Sequence, residues 1–428
     1  MKVLRPERTR ERDVDCGESY TCGNMHDGSL ETELVLDCIR RHFGCSPRHE
    51  GVENKPTARP DWNRVMSIAA YHGVIPLVRA SLCDAMTSAI PRDARRRIEH
   101  ESRRWAANSL LYGHELARIQ DRLNSSGMRV IAFKGPTLAT RLYGKLGQRQ
   151  LRDLDLMFAK PEIKGALEVL RSSGYRIDAC HADWDDAFRT DKHLLLVHKD
   201  SATKIELHWA VALPDIHFDL PFNVVWDRRE YVSMLGTRVA TPCMNDLLLI
   251  LSVHGTSHYW ISLKWVCDIA ALIRKYPDAD WMALRAEAKK FGCYRMVLLA
   301  LALARNVIGG VLPSAAEREI EEDAAVNILA QEARARFYTM GRLDFFERLF
   351  THIRSREQFI HRTQIAASYV QSVLARNNGQ RLRLPSFLNS LSWPARMCGV
   401  RVRSWDKLTP LLAAVIDHIP RHHAPSTH

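Results

Sequence analysis

Residues 149–158, RQLRDLDLMF, and residues 204–211, KIELHWAV, carry the reading on which the fold turns. In the first, Asp153 and Asp155 stand one residue apart among Leu151, Leu154, Leu156 and Phe158. On a strand, positions i and i+2 face the same way. Both carboxylates would then project together while Leu154 and Leu156 point into a core. Two like charges held that close are costly without a cation, and hard carboxylate oxygens suit Mg²⁺ or Mn²⁺. In the second stretch, Ile205 and Leu207 alternate with Glu206 and His208. The preceding HLLLVH (193–198) and polar KDSAT (199–203) make a β-hairpin with it. Such a hairpin can set Glu206 beside the aspartates as a third acid.

Upstream, VIAFKGPT (130–137) reads as a strand, a Lys134-Gly135 turn and a helix opened by Pro136. The N–H groups at that helix N-terminus suit a phosphate. Gly135 would let the backbone approach it. Lys134 would pair with a phosphate oxygen or with a nearby acid.

Taken together, these motifs resemble the polymerase β-type nucleotidyltransferase superfamily. More narrowly, the chain is similar to a bacterial family of uncharacterised nucleotidyltransferases. The matching residues are Lys134-Gly135, Tyr143 at the end of the helix, Arg149 with Asp153 and Asp155, and Glu206-Leu207-His208-Trp209. HGTSHYWISLKWVCDIAALI (254–273) and DWNRVMSIAAYHGVIPLV (61–78) extend the resemblance, which covers residues 60 to 310 and runs more loosely toward 400. The wider superfamily has Gly-Ser after the first strand. This chain has Lys134-Gly135 and a longer connection, as the narrower family does, so Thr137 is the nearest hydroxyl able to replace the serine.

The resemblance implies an α+β fold, a small mixed-sheet polymerase β-type core embedded in a predominantly helical body. It implies a metal-dependent nucleotidyltransferase moving a nucleoside monophosphate from an NTP to an acceptor, with release of pyrophosphate. Asp153, Asp155 and Glu206 would be the catalytic acids and hold Mg²⁺ (or Mn²⁺). Lys134, Gly135, Thr137 and Arg149 would line the nucleotide, although Arg149 reads equally as a structural clamp. His208, His254 and His258 are candidates for a substrate pocket, and each reads also as a packed, hydrogen-bonded histidine. Tyr143 is a base-stacking or core aromatic, and Asp268 an anchor for a basic partner from the catalytic core. The acceptor would be a small molecule, a peptide or a protein, with RNA less favoured. The alternative is a non-catalytic regulatory or antitoxin-like module that keeps the same fold.

With 428 residues, 46% hydrophobic and 26% charged, the chain can bury a large core. No apolar run reaches membrane-spanning length, and the first twenty residues are charged rather than apolar. Ten cysteines without a Cys-x-x-Cys pair fit a reducing compartment, so a cytoplasmic location is expected. The net charge of +12 permits a nucleic-acid partner. Yet the basic residues are dispersed, without the interleaved aromatics of a base-stacking groove. Cys38, His42, Cys45 and His49 supply four zinc-type ligands in no standard finger spacing.

Five regions follow from the pattern: a disordered segment (1–28), an N-terminal helical region (29–127), the catalytic core (128–240), a C-terminal helical domain (241–380) and a Pro/His-containing tail (381–428). Helices are expected at about 29–43, from Trp62 to about Ala85, and from Arg92 to Ser125.

Overall fold

The computed structural model of the protein describes residues 30–46, 60–82, 90–178, 188, 191–213, 216, 218–341 and 343–376, with side chains described as far as 369. The segments expected as a disordered N-terminus (1–28) and a tail (381–428), and His49, lie outside the described residues.

Helices α1 (Leu30–His42), α2 (Trp62–Tyr71) and α3 (Ile75–Ser81) lead into the long α4 (Arg92–Ser125). The single helix expected from Trp62 to Ala85 is two helices over its described part. Gly73, at φ +70°, ends the first by a left-handed turn that a side chain would resist. The break leaves the His72 carbonyl free to accept from the Lys264 N–H at 3.1 Å and the Ser262 hydroxyl at 2.9 Å.

The chain then enters β1 (Ile131–Ala132), α5 (Gly135–Tyr143), β2 (Leu154–Met157), α6 (Ile163–Ser172), β3 (Tyr175–Ile177), β4 (His193–His198) and β5 (Lys204–His208). These strands form one mixed sheet in the order β1-β2-β5-β4-β3. Only β2 and β5 run parallel, with Asp155 opposite Glu206 and Leu156 opposite Leu207. Next come α7 (Phe222–Asp227), β6 (Glu230–Met234) and β7 (Thr237–Thr241). The sheet expected across 128–240 therefore ends at His208, and β6 and β7 pair only with each other. Leu235 and Gly236, both at positive φ, close them into a tight local hairpin.

Period-two patterning sorts the two sheet faces. Leu154, Leu156, Leu196, Ile205 and Leu207 are at most 1% exposed and pack against Leu116, Ile119 and Leu123 of α4 and Ile163, Leu167 and Leu170 of α6. The opposite face belongs to a second core, where Ile131, Phe133 and Met157 join the helical body. That body is built from α8 (Met244–Ser257), α9 (Leu263–Lys275), α10 (Trp281–Lys290), α11 (Tyr294–Leu303), α12 (Ser314–Glu322), α13 (Ala324–Thr339), α14 (Phe345–Arg354) and α15 (Phe359–Arg376). Asp280 and Asp323 cap α10 and α13 through the free N–H groups of their first turns. The whole is an α+β fold, a small mixed sheet embedded in a predominantly helical body. Among the described residues, no helix is long and apolar enough to cross a membrane.

Candidate active site

The acids lie on the sheet face that meets the helical body. Asp155, inside β2, and Glu206, inside β5, share a ladder rung and therefore a face. Asp153 stands one residue ahead of β2 rather than within it. Side-chain exposure is 3% for Asp155 and 25% for Glu206, so solvent reaches the group at Glu206.

Three basic groups answer the acids. Lys134 Nζ donates to Asp155 Oδ1 at 2.6 Å. His208 Nε2 lies 2.9 Å from Glu206 Oε2 and 3.5 Å from Asp155 Oδ1. His193 Nε2 stands 3.9 Å from Glu206 Oε1. Burial alone would raise the carboxyl pKa values, but Lys134 and His208 hold Asp155 below the usual range. In the same way His193, His208 and Lys134 hold Glu206 well below it. Burial opposes the charged form of His208, yet its hydrogen bonds to Asp155 and Glu206 win and raise its pKa. Asp153 goes the other way: burial, then Asp155 and Glu206, push it up to about 7. Asp153, held protonated by burial and by its two acidic neighbours, is the carboxyl that a divalent cation would ionise.

The Lys-Gly turn is set by sterics. Gly135 has φ +62°, and a Cβ there would lie 3.3 Å from the carbonyl oxygen of Asp153. The turn is thus held against the backbone at the acid pair. Thr137 Oγ1 lies 2.8 Å from Lys134 O and 3.1 Å from Ala132 O, tying the turn to the end of β1. Arg149 is a clamp: its Nε and one terminal nitrogen both donate to Asp268, each at 2.9 Å, and the Tyr143 hydroxyl donates to the same carboxylate at 2.9 Å. Asp268 thereby meets its basic partner from the core, and Tyr143 serves that anchor.

His254, in the last turn of α8, and His258, just past its end, form an aromatic group with Trp265, at ring separations of 4.6, 5.3 and 5.2 Å. Burial, followed by nearby lysines and His258, lowers the His254 pKa well below its ordinary value. Burial and Lys192 do the same for His258, so both rings are neutral. Two clefts of about 260 and 270 Å³ run along α4, lined by residues such as Arg96, Arg97, Arg79 and Arg103, and neither contains any of the acids.

Sequence reasoning did not single out His193. Among the described residues, one group of His, Cys, Asp and Glu side chains has its ligand atoms all within 4.8 Å of one another, and it is His193, Glu206 and His208. Asp153, Asp155 and Glu206 do not meet that distance together, nor do the described Cys38, His42 and Cys45 form such a group. The signal for His193 lay in the hairpin: closing β4 on β5 in register sets His193 directly opposite His208.

The model of a family described as uncharacterised nucleotidyltransferase matches residues 58–309, a span that contains every residue of this site. No curated protein matches the chain. The crystal structure of an antigenic nucleotidyltransferase-like protein from Paracoccidioides brasiliensis is similar over 48% of this chain and 96% of its own length, at 14% identity and a TM-score of 0.30.

Proposed function

The chain belongs to the uncharacterised nucleotidyltransferase family, and on that premise we propose that it transfers a nucleoside monophosphate from an NTP to an acceptor and releases pyrophosphate. The observation that carries this reading is the pairing of Asp155 with Glu206 on adjacent parallel strands, with Asp153 just ahead and Lys134 2.6 Å from Asp155.

The donor chemistry of Asp153, Asp155 and Glu206, oxygen throughout, fits Mg²⁺ or Mn²⁺. When bound, the ion supplies charge stabilisation at the phosphate oxygens. An acceptor oxygen attacks the α-phosphorus, the bond to the β-phosphate oxygen breaks, pyrophosphate leaves with the electron pair, and the acceptor's proton passes to solvent. The chain's own residues position and neutralise. Lys134, kept protonated against burial by Asp155 and Glu206, holds a positive charge beside the acids. The turn at Gly135 and Thr137 presents the first N–H groups of α5 for the nucleotide phosphates. Arg149 acts through Asp268, orienting the segment that leads to Asp153. His254, His258 and Trp265 form a wall for the acceptor, a small molecule, peptide or protein.

The test is pyrophosphate release from each of the four NTPs with Mg²⁺ or Mn²⁺, using cell extract as the acceptor pool. Release should require metal, extract and acids, and Asp153→Ala/Asp155→Ala should abolish it while leaving the far-UV spectrum unchanged. Full turnover in the double variant would refute the site assignment. A folded protein that neither releases pyrophosphate nor binds NTP with metal would favour a non-catalytic binding module.

A further inference from the structure

We propose that His193 and His208, with the Glu206 carboxylate they share with the proposed Mg²⁺ site, form a second ion site selective for a borderline transition ion of the Zn²⁺ or Co²⁺ kind over Mg²⁺. Two imidazole nitrogens and one carboxylate are a donor set that hard, oxygen-seeking Mg²⁺ disfavours and that borderline ions take readily. The ligand atoms lie within 4.8 Å of one another on a rigid two-strand platform, where His193 and His208 are cross-strand partners. Ligand–ligand separations around a tetrahedral ion are roughly 3.3 Å, from metal–nitrogen bonds of about 2.0–2.1 Å. Small side-chain rotations close that gap, and the backbone need not move.

The atom behind the His208 ring points the same way. His208 Nδ1 lies 3.3 Å from the carbonyl oxygen of Ala210, an acceptor for an Nδ1 proton, and Nε2 faces Glu206, so an ion taken at Nε2 would displace the proton that Nε2 shares with that carboxylate. His193 has its Nδ1 3.8 Å from Asp191 Oδ1, with Nε2 directed at Glu206. The Ala210 carbonyl behind His208 is the outer-shell arrangement that orients a metal-ligating histidine, while Asp191 lies beyond hydrogen-bond distance of His193, its Oδ1 accepting from the Lys192 N–H at 2.7 Å. The His193 side chain is 10% exposed and that of Glu206 25%, so an ion has a route in. Three protein ligands also leave one coordination position open, as in sites that bind a substrate or water.

Binding here depends on neither nucleotide nor turnover, so it is measured directly on chelator-stripped full-length protein without NTP. Titration with Co²⁺ should give one equivalent of binding with a visible absorption band of low coordination number. That band should persist in a large molar excess of Mg²⁺. His193→Gln should weaken Co²⁺ binding by more than about tenfold, the loss that even an outer-shell change produces. His193→Asn, a shorter polar replacement, should weaken it likewise and covers the case in which His193→Gln misfolds. Absence of Co²⁺ binding, displacement by equimolar Mg²⁺, or wild-type affinity in a folded variant would each overturn the proposal. Each result is independent of whether pyrophosphate is released.

Discussion

At the scale of single residues, Asp153 is the group most out of balance. Its carboxyl is pushed up to about 7 by burial and by Asp155 and Glu206, against an ordinary value of about 3.9. A carboxyl whose pKa is higher folded than unfolded adds stability while protonated and withdraws it as pH rises through the folded value. Ion-free protein should therefore lose stability between about pH 4 and pH 7 at this position. Asp153→Asn should remove that slope and raise ion-free stability at pH 8 by on the order of 1 kcal/mol, as substitutions that relieve functional strain do. Thermal melts in chelator at pH 5 and pH 8 check it, and a variant that melts lower than wild type at pH 8 would contradict the crowding argument. The same substitution should cost activity, since the crowding that destabilises the empty site is what attracts a cation.

At the scale of elements, α4 does more than cover the sheet. From one face it holds the segment leading into β2: Asn108 Nδ2 donates to Leu151 O at 2.7 Å, Ser109 Oγ to Arg149 O at 3.2 Å, and the Tyr112 hydroxyl to Arg152 O at 2.5 Å. The Tyr112 hydroxyl also accepts from the Lys204 N–H at 3.2 Å, so one oxygen joins the heads of both acid-bearing strands. Tyr112→Phe removes the hydroxyl that both part-buried backbone groups share and should cost about 1 kcal/mol. The midpoint of denaturant unfolding reports that loss, and turnover should fall with it because the strands lose their shared reference. Unchanged stability would mean that solvent replaces the hydroxyl at both groups. None of this ladder is visible in sequence, because Asn108, Ser109 and Tyr112 read as ordinary residues of a long helix.

At the scale of the whole molecule, the sheet is joined to the helical body by buried polar contacts as well as apolar packing. Asp268, 0% exposed, receives Arg149 twice and Tyr143 once. Arg141 reaches Tyr276 of the body at 2.9 Å as well as Glu230 of β6 at 2.7 Å. Asp268→Ala would strand the Arg149 guanidinium, itself 6% exposed, and should cost about 3–5 kcal/mol. Calorimetry checks this, and a loss under 1 kcal/mol would show that the docking is apolar in substance. The body is continuous as well. His72 Nε2 lies 3.1 Å from the carbonyl of Phe337, and Arg40 Nε donates to Val307 O at 2.9 Å, so early helices hold late ones.

The sequence by itself determined where β2 and β5 lie and which of their side chains alternate, though Asp153 falls one residue outside β2. Alternation in LRDLDLMF and KIELHWAV dictates which side chains share a face, and period two leaves no freedom once one face is apolar. Gly135 was legible for the same kind of reason, since a local turn demanded it, although what it approaches is the backbone of Asp153. Tertiary structure alone decided which atoms meet. Register between distant strands set Asp155 beside Glu206 and His193 beside His208. Burial drove the Asp153 pKa upward, and packing of α9 against the core paired Arg149, open in sequence between phosphate ligand and clamp, with Asp268. Those outcomes depend on distances between residues far apart in the chain, which local pattern does not encode.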